Sequence, residues 1–110
     1  MIILDPDRCG CTVWLINSPI IGYKNKVTYI KGETLLETCK QIISRLGVYK
    51  DVKNQWGNFV KRLSWVDDVY LDISAFGKYY KDIFNDYGLD VIDIYGKSPN
   101  SIIPKRIEYL

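Results

Sequence analysis

The 110-residue chain has no histidine. That absence removes Ser-His-Asp and Cys-His nucleophiles, histidine-ligated zinc and histidine general bases. Any hydrolytic chemistry must then run on carboxylates, lysine or a metal ion. Cysteine is scarce, with only Cys9, Cys11 and Cys39. An odd number without Cys-x-x-Cys spacing is neither a disulfide framework nor a zinc site, and it points to a reducing compartment. No apolar run is long enough to span a membrane. No basic segment followed by an apolar stretch marks a secretory signal. A cytoplasmic location without a membrane partner is the expectation. The chain also lacks a P-loop, a Gly-rich dinucleotide fingerprint, internal repeats and low-complexity tracts.

What is present is a globular composition, 47% hydrophobic and 25% charged, and a length suited to one domain over residues 1–110. Net charge is +2 but unevenly spread. Residues 1–65 carry ten Lys/Arg against five Asp/Glu, and residues 66–110 five against eight. Such asymmetry suits a basic surface beside an acidic centre, and also plain solvated faces that happen to segregate.

Ile2-Ile3-Leu4 is an apolar run closed by Asp5 and Pro6. Turn chemistry at Pro6-Asp7-Arg8-Cys9-Gly10 leads into Cys11–Ile16, rich in β-branched and aromatic residues, so the two strands form a hairpin. A third strand falls at Lys26–Ile30. Leu35, Leu36, Cys39, Ile42, Ile43 and Leu46 make one apolar stripe of helical period, predicting a helix over Glu33–Leu46 with Gly47 beyond its end. Trp56, Phe59, Val60 and Leu63 also have helical spacing, weakened by Gly57. Val69–Asp72 reads as a strand, Tyr79–Tyr87 as a helix closed by Gly88, and Leu89–Tyr95 as a second strand parallel to the first. A last helix is expected from Ile102. The sum is an α/β chain: three antiparallel strands, then two parallel ones, in a mixed five-stranded sheet flanked by helices.

Two segments make this order resemble the ribonuclease H-like fold, in particular RuvC-type Holliday-junction resolvases and the nuclease domain of viral terminase large subunits. Ile2-Ile3-Leu4-Asp5-Pro6 with Gly10-Cys11-Thr12 is similar to the family's first strand, Asp-Pro turn and second strand. Val69–Gly77, with Asp82-Ile83-Phe84 and Tyr87–Val91, is similar to its fourth strand, helix and fifth strand. The resemblance implies metal-dependent hydrolysis of DNA phosphodiesters, possibly in branched DNA, in a virus or plasmid, with the host cytoplasm as the location. Family acids gather two divalent ions about 3.5–4 Å apart, and Mg2+ or Mn2+ suits an all-oxygen site.

Asp5 and Asp72 correspond to the family's first-strand and fourth-strand acids and are the expected catalytic pair. Glu33 or Glu37 is the candidate for the acid that ribonuclease H carries on its first helix. Glu108 is the only acid near the place of the family's late acid, which is often part of an Asp-Ala pair. DNA is the expected partner, and a second copy of the chain a further one. Each acid also has a plainer reading. Asp5 can cap the Asp-Pro turn, Asp72 the following helix, and Glu33 and Glu37 suit a helix N-terminus. Lys50, Lys53, Lys61 and Arg62 interleave with Trp56 and Phe59 in the manner of a nucleic-acid surface, or form the wet side of a core helix. An incomplete acidic set leaves a catalytically silent ribonuclease H-like module that binds nucleic acid or protein.

Overall fold

The fold comes from a computed structural model, which describes residues 1–16 and 26–95. In chain order the elements are β1 (Ile2–Pro6), β2 (Cys11–Leu15), β3 (Lys26–Ile30), α1 (Leu35–Leu46), β4 (Gly47–Lys53), β5 (Phe59–Trp65), β6 (Val69–Asp72), α2 (Gly77–Asp86) and β7 (Ile92–Ile94). Five strands form one mixed sheet in the order β3-β2-β1-β6-β7. The β1–β2 and β2–β3 pairs are antiparallel, whereas β1–β6 and β6–β7 are parallel. The α/β class, the mixed five-stranded sheet and the parallel β6–β7 pair match the sequence reading.

Alternation along the strands decides which side of the sheet is buried under helices. Ile2, Leu4, Cys11, Val13, Ile30, Val69 and Leu71 join Cys39, Ile42 and Leu46 of α1 and Tyr80 and Phe84 of α2 in the main core. Each fully buried aliphatic or aromatic side chain contributes about 1.5–3 kcal/mol by leaving water. The residues between them face the other way: Ile3, Trp14, Tyr70 and Ile94 form a smaller apolar cluster with Ile16 and Met1. Both described helices therefore lie on one side of the sheet. Among the described residues no helix is long and apolar enough to cross a membrane.

The start of α1 lies later than the sequence predicts. Thr34 is the N-cap, its hydroxyl accepting from the Glu37 backbone N–H at 3.1 Å. Thr38 Oγ1 donates to the Thr34 carbonyl and accepts from the Gly32 N–H. Glu33 thus precedes the helix instead of opening it. At the other end Gly47 is extended (φ −82°, ψ 148°), not left-handed, because the chain passes directly from α1 into β4.

The largest departure from the sequence reading is at 47–65. The helical spacing of Trp56, Phe59, Val60 and Leu63 is overruled, and the segment is the antiparallel hairpin β4–β5. Val48, Tyr49, Val52, Phe59 and Val60 are strand-favouring residues. Asn54 and Gly57 supply a turn, with Gly57 at φ +82°, which no helix interior contains. The Gly57 N–H donates to the Asn54 carbonyl, and Asn54 Oδ1 accepts from the Trp56 and Asn58 N–H groups. Only the base of the hairpin is buried: Trp65 packs edge-on against Phe84, ring centroids 5.3 Å apart. The Asn17-Ser18-Pro19 turn, the loop from Lys97 and the helix expected from Ile102 lie outside the described residues.

Candidate active site

The parallel register of β1 and β6 pairs Leu4 with Leu71, so the next residues, Asp5 and Asp72, stand side by side at the carboxyl ends of neighbouring strands. Ends of parallel strands are where open α/β sheets collect chemistry. Strand alternation from Ile3 and Tyr70 sends both carboxylates to the sheet face away from α1 and α2. Both side chains are half-buried. The Asp5 pKa is raised, first by burial, then by the negative charges of Asp72 and Asp7. An anion held beside like charges is a place where a cation lowers the free energy.

A tight turn holds Asp72 in place. Its Oδ1 accepts from the Ser74 N–H at 3.0 Å and from Ser74 Oγ at 2.5 Å. Ala75 then takes a left-handed conformation (φ 50°), unusual for a residue with a side chain. Gly77 follows, where a Cβ atom would lie only 1.7 Å from the Asp72 carbonyl oxygen, so this position admits glycine alone. The Ser74-Ala75-Phe76-Gly77 run is short because α2 must start hard against the end of β6. Asp72 does not cap that helix. Phe76 is the N-cap residue and makes no side-chain capping bond.

Nor does Asp5 organise the Asp-Pro turn. Asp7 does, its Oδ1 accepting from the Cys9 and Gly10 N–H groups at 2.7 and 2.8 Å and from the Tyr29 hydroxyl at 3.0 Å. Burial alone raises the Asp7 pKa, but the Gly10 and Cys9 N–H groups, Tyr29 and Lys31 outweigh it, and the net shift is downward. Asp7 is the acid the sequence reading passed over. The signal was an aspartate two and three residues before the N–H groups of Cys9 and Gly10, an Asx turn.

The remaining candidates separate. Glu33 and Glu37 are exposed and belong to the entry and first turn of α1, on the helix side of the sheet. Among the described residues, no three His, Cys, Asp or Glu side chains are grouped to hold a metal ion. Glu108 lies outside the described residues. Lys50, Lys53, Lys61 and Arg62 all sit on the β4–β5 hairpin. That hairpin leaves from the opposite end of the sheet: Val66 N–H bonds to the Leu46 carbonyl, and Ile2 N–H to the Asp68 carbonyl, ahead of the amino end of β6. The acidic pair and the basic hairpin are therefore at opposite ends of the central strands.

Near the acidic end, on the helix side, a cleft of about 330 Å³ is lined by Asp7, Arg8, Lys31, Glu33, Phe76 and Tyr79 among others. Neither Asp5 nor Asp72 lines it, because their carboxylates face the other side of the sheet. Cys11 and Cys39 contribute no chemistry; both are buried in the main core, and burial pushes the Cys39 thiol up to about 12. Asp5 and Asp72 offer only oxygen donors, the set that hard divalent cations take, and one or two carboxylates with substrate phosphate suffice for magnesium. Comparison with protein-family models, curated proteins and solved structures finds no match to this chain.

Proposed function

We propose that this chain is a metal-dependent endonuclease of ribonuclease H-like fold that hydrolyses DNA phosphodiester bonds, with branched DNA as its substrate class. The observation that carries the reading is the side-by-side placement of Asp5 and Asp72 on the two central parallel strands of a β3-β2-β1-β6-β7 sheet. The raised Asp5 pKa, caused in part by Asp72, supports a pair that prefers a cation between its members. A bound Mg2+ or Mn2+ would supply water activation and charge neutralisation at the phosphate. The chain's own part is to hold the donors. Ser74 orients the Asp72 carboxylate, the Gly77 contact fixes the Asp72 backbone, and the β1–β6 ladder sets the spacing to Asp5.

A second reading has an observation of its own. No third carboxylate joins Asp5 and Asp72 among the described residues, which favours a catalytically silent module that binds nucleic acid or protein. One assay separates the two. Linear and four-way-junction DNA are incubated with the wild-type chain and with Asp72→Asn, with and without magnesium. Cleavage that needs magnesium and disappears in Asp72→Asn is expected. Wild-type protein that leaves both substrates intact in magnesium and in manganese overturns the enzyme reading and leaves the binding module.

A further inference from the structure

Three of the four most exposed large hydrophobic side chains among the described residues sit on one element, the fourth being Tyr95. Trp56, Phe59 and Tyr49 are 75%, 73% and 71% exposed, and all lie on the β4–β5 hairpin. Isolated exposed apolar residues need no explanation, but a cluster of aromatic rings does. The tip is not a loose loop. Asn54 Oδ1 accepts from both Trp56 and Asn58 N–H groups, and the Asn54 N–H bonds to the Asn58 carbonyl at 2.8 Å. A bonded turn thus holds the indole in water, a costly arrangement that becomes useful when a flat partner covers it.

The charges point to an anionic partner. From Gly47 to Trp65 there are four Lys/Arg residues and one acid, Asp51. The register pairs Asp51 with Lys61, and the two side chains meet at 3.1 Å. On the other face Lys50 stands directly opposite Arg62, in a strip otherwise made by Val48, Val52, Val60 and Ser64. Like charges directly opposite each other destabilise a hairpin, and an anion relieves them. Lys53 pairs with Phe59 beside the tip, on the face that also carries Tyr49, so a cation adjoins the aromatic rings there while the Lys50–Arg62 pair lies on the other face. A second copy of the same hairpin would set these cations against one another, which disfavours self-association through this element.

We propose that the β4–β5 hairpin binds single-stranded nucleic acid, stacking unpaired bases on Trp56 and Phe59, seating a phosphate beside Lys53 on that face, and passing round the two-stranded hairpin to Lys50 and Arg62 on the other. Duplex bases hide their faces in the stack, so exposed rings of this kind select unpaired nucleotides. The inference rests on the nucleic-acid reading above and extends it. The chemistry belongs to the carboxyl ends of β1 and β6, and the hairpin at the opposite end anchors a single-stranded arm of the same substrate.

The test is a tryptophan-fluorescence titration of the full chain in EDTA with a short oligothymidylate and with a blunt duplex of equal length. Quenching by the single strand is expected, with weaker binding of the duplex. Read by the anisotropy of a labelled oligothymidylate, because the first variant removes the reporting indole, Trp56→Ala and Phe59→Ala each lower single-strand affinity roughly tenfold to a hundredfold. Trp56→Phe restores most of the affinity. Lys50→Ala and Arg62→Ala each flatten the log–log salt dependence by about 0.7, the single-strand value per phosphate contact. Circular dichroism verifies that each variant is folded, and fold is retained because these side chains project into solvent. Absence of quenching, unchanged affinity in both aromatic variants, or equal binding of the blunt duplex overturns the proposal. So does sedimentation that shows a dimer lost in Trp56→Ala. Because EDTA removes the metal ion, failure to bind here and failure to cleave above are separate results.

Discussion

At the carboxyl ends of β1 and β6, two half-buried carboxylates stand side by side, Asp72 held by a tight turn and a glycine that no other residue can replace, and Asp5 with its pKa raised by burial and by its acidic neighbours. At the amino end of β6, the β4–β5 hairpin leaves the body with its cations and aromatic rings in water. The first region is built inward, so changes there act through the fold. The second is built outward on a buried foot, Trp65 against Phe84, so changes at its tip act only on what it meets. The Asp5–Asp72 pair and the four Lys/Arg residues of the hairpin are thereby kept at opposite ends of the central strands. A polyanion that contacts both must run along the molecule.

The two regions are joined most strongly at the hairpin's foot. Phe84→Ala removes a fully buried ring that supports Trp65 and the sheet, and should cost about 3–5 kcal/mol. Chemical denaturation measures it. A loss under about 1 kcal/mol would mean the hairpin is not footed in the core.

Next comes the metal test at the acidic end. Magnesium at a hundredfold excess over its Kd should stabilise the wild type by about 2.7 kcal/mol, and Asp72→Asn should lose most of this gain. Thermal melts of both proteins, with and without magnesium, read it directly. An unshifted wild type removes the cation from the acidic pair. At the same end, Gly77→Ala forces a methyl group into the Asp72 carbonyl and should cost about 1–3 kcal/mol as an overpacking strain. A neutral result would show that α2 does not press on β6.

A smaller effect separates Asp5 from Asp7 by the sign of their pH dependence. The folded-state pKa of Asp5 is raised, so its ionisation opposes folding, and the penalty appears as pH rises from the ordinary carboxylate value through the folded one. Asp5→Asn should therefore be more stable than wild type near neutrality and equal to it in acid. The folded-state pKa of Asp7 is lowered, so it contributes stability above the ordinary carboxylate value and loses it as pH falls through the folded one. Asp7→Asn should be less stable near neutrality, with the difference fading in acid. Melting temperatures across pH 3 to 7 test both, and shifts of the same sign would contradict the electrostatics. The smallest stability effect belongs to the hairpin tip. Trp56→Ala should change stability by no more than about 0.5 kcal/mol by denaturant titration, as expected for an exposed side chain.

Much of the sheet was legible because its strands carry their signals locally. Lys26–Ile30 and Val69–Asp72 match the expected bounds residue for residue, and the stripe from Leu35 to Leu46 marks α1 through its own period. The segment 47–65 was misread because Phe59, Val60 and Leu63 fit both a helical and an alternating pattern. Spacing alone does not separate these when the faces are not buried. Leu63 shares a face with Phe59 while Val60 takes the other, a distinction that only the pairing of β4 with β5 creates.

By itself, the sequence determined the α/β class, the three antiparallel strands followed by two parallel ones, and a strand-end aspartate at Asp5 and at Asp72, because apolar alternation and turn residues act over a few positions. It also determined that histidine chemistry is absent. The tertiary structure decided which acids meet. The parallel β1–β6 register brings Asp5 beside Asp72, while Glu33 and Glu37 stay on the helix side and Lys50, Lys53, Lys61 and Arg62 gather on the hairpin at the far end of the sheet. Those outcomes depend on contacts between residues some 67 positions apart, and no local propensity encodes a register across that distance.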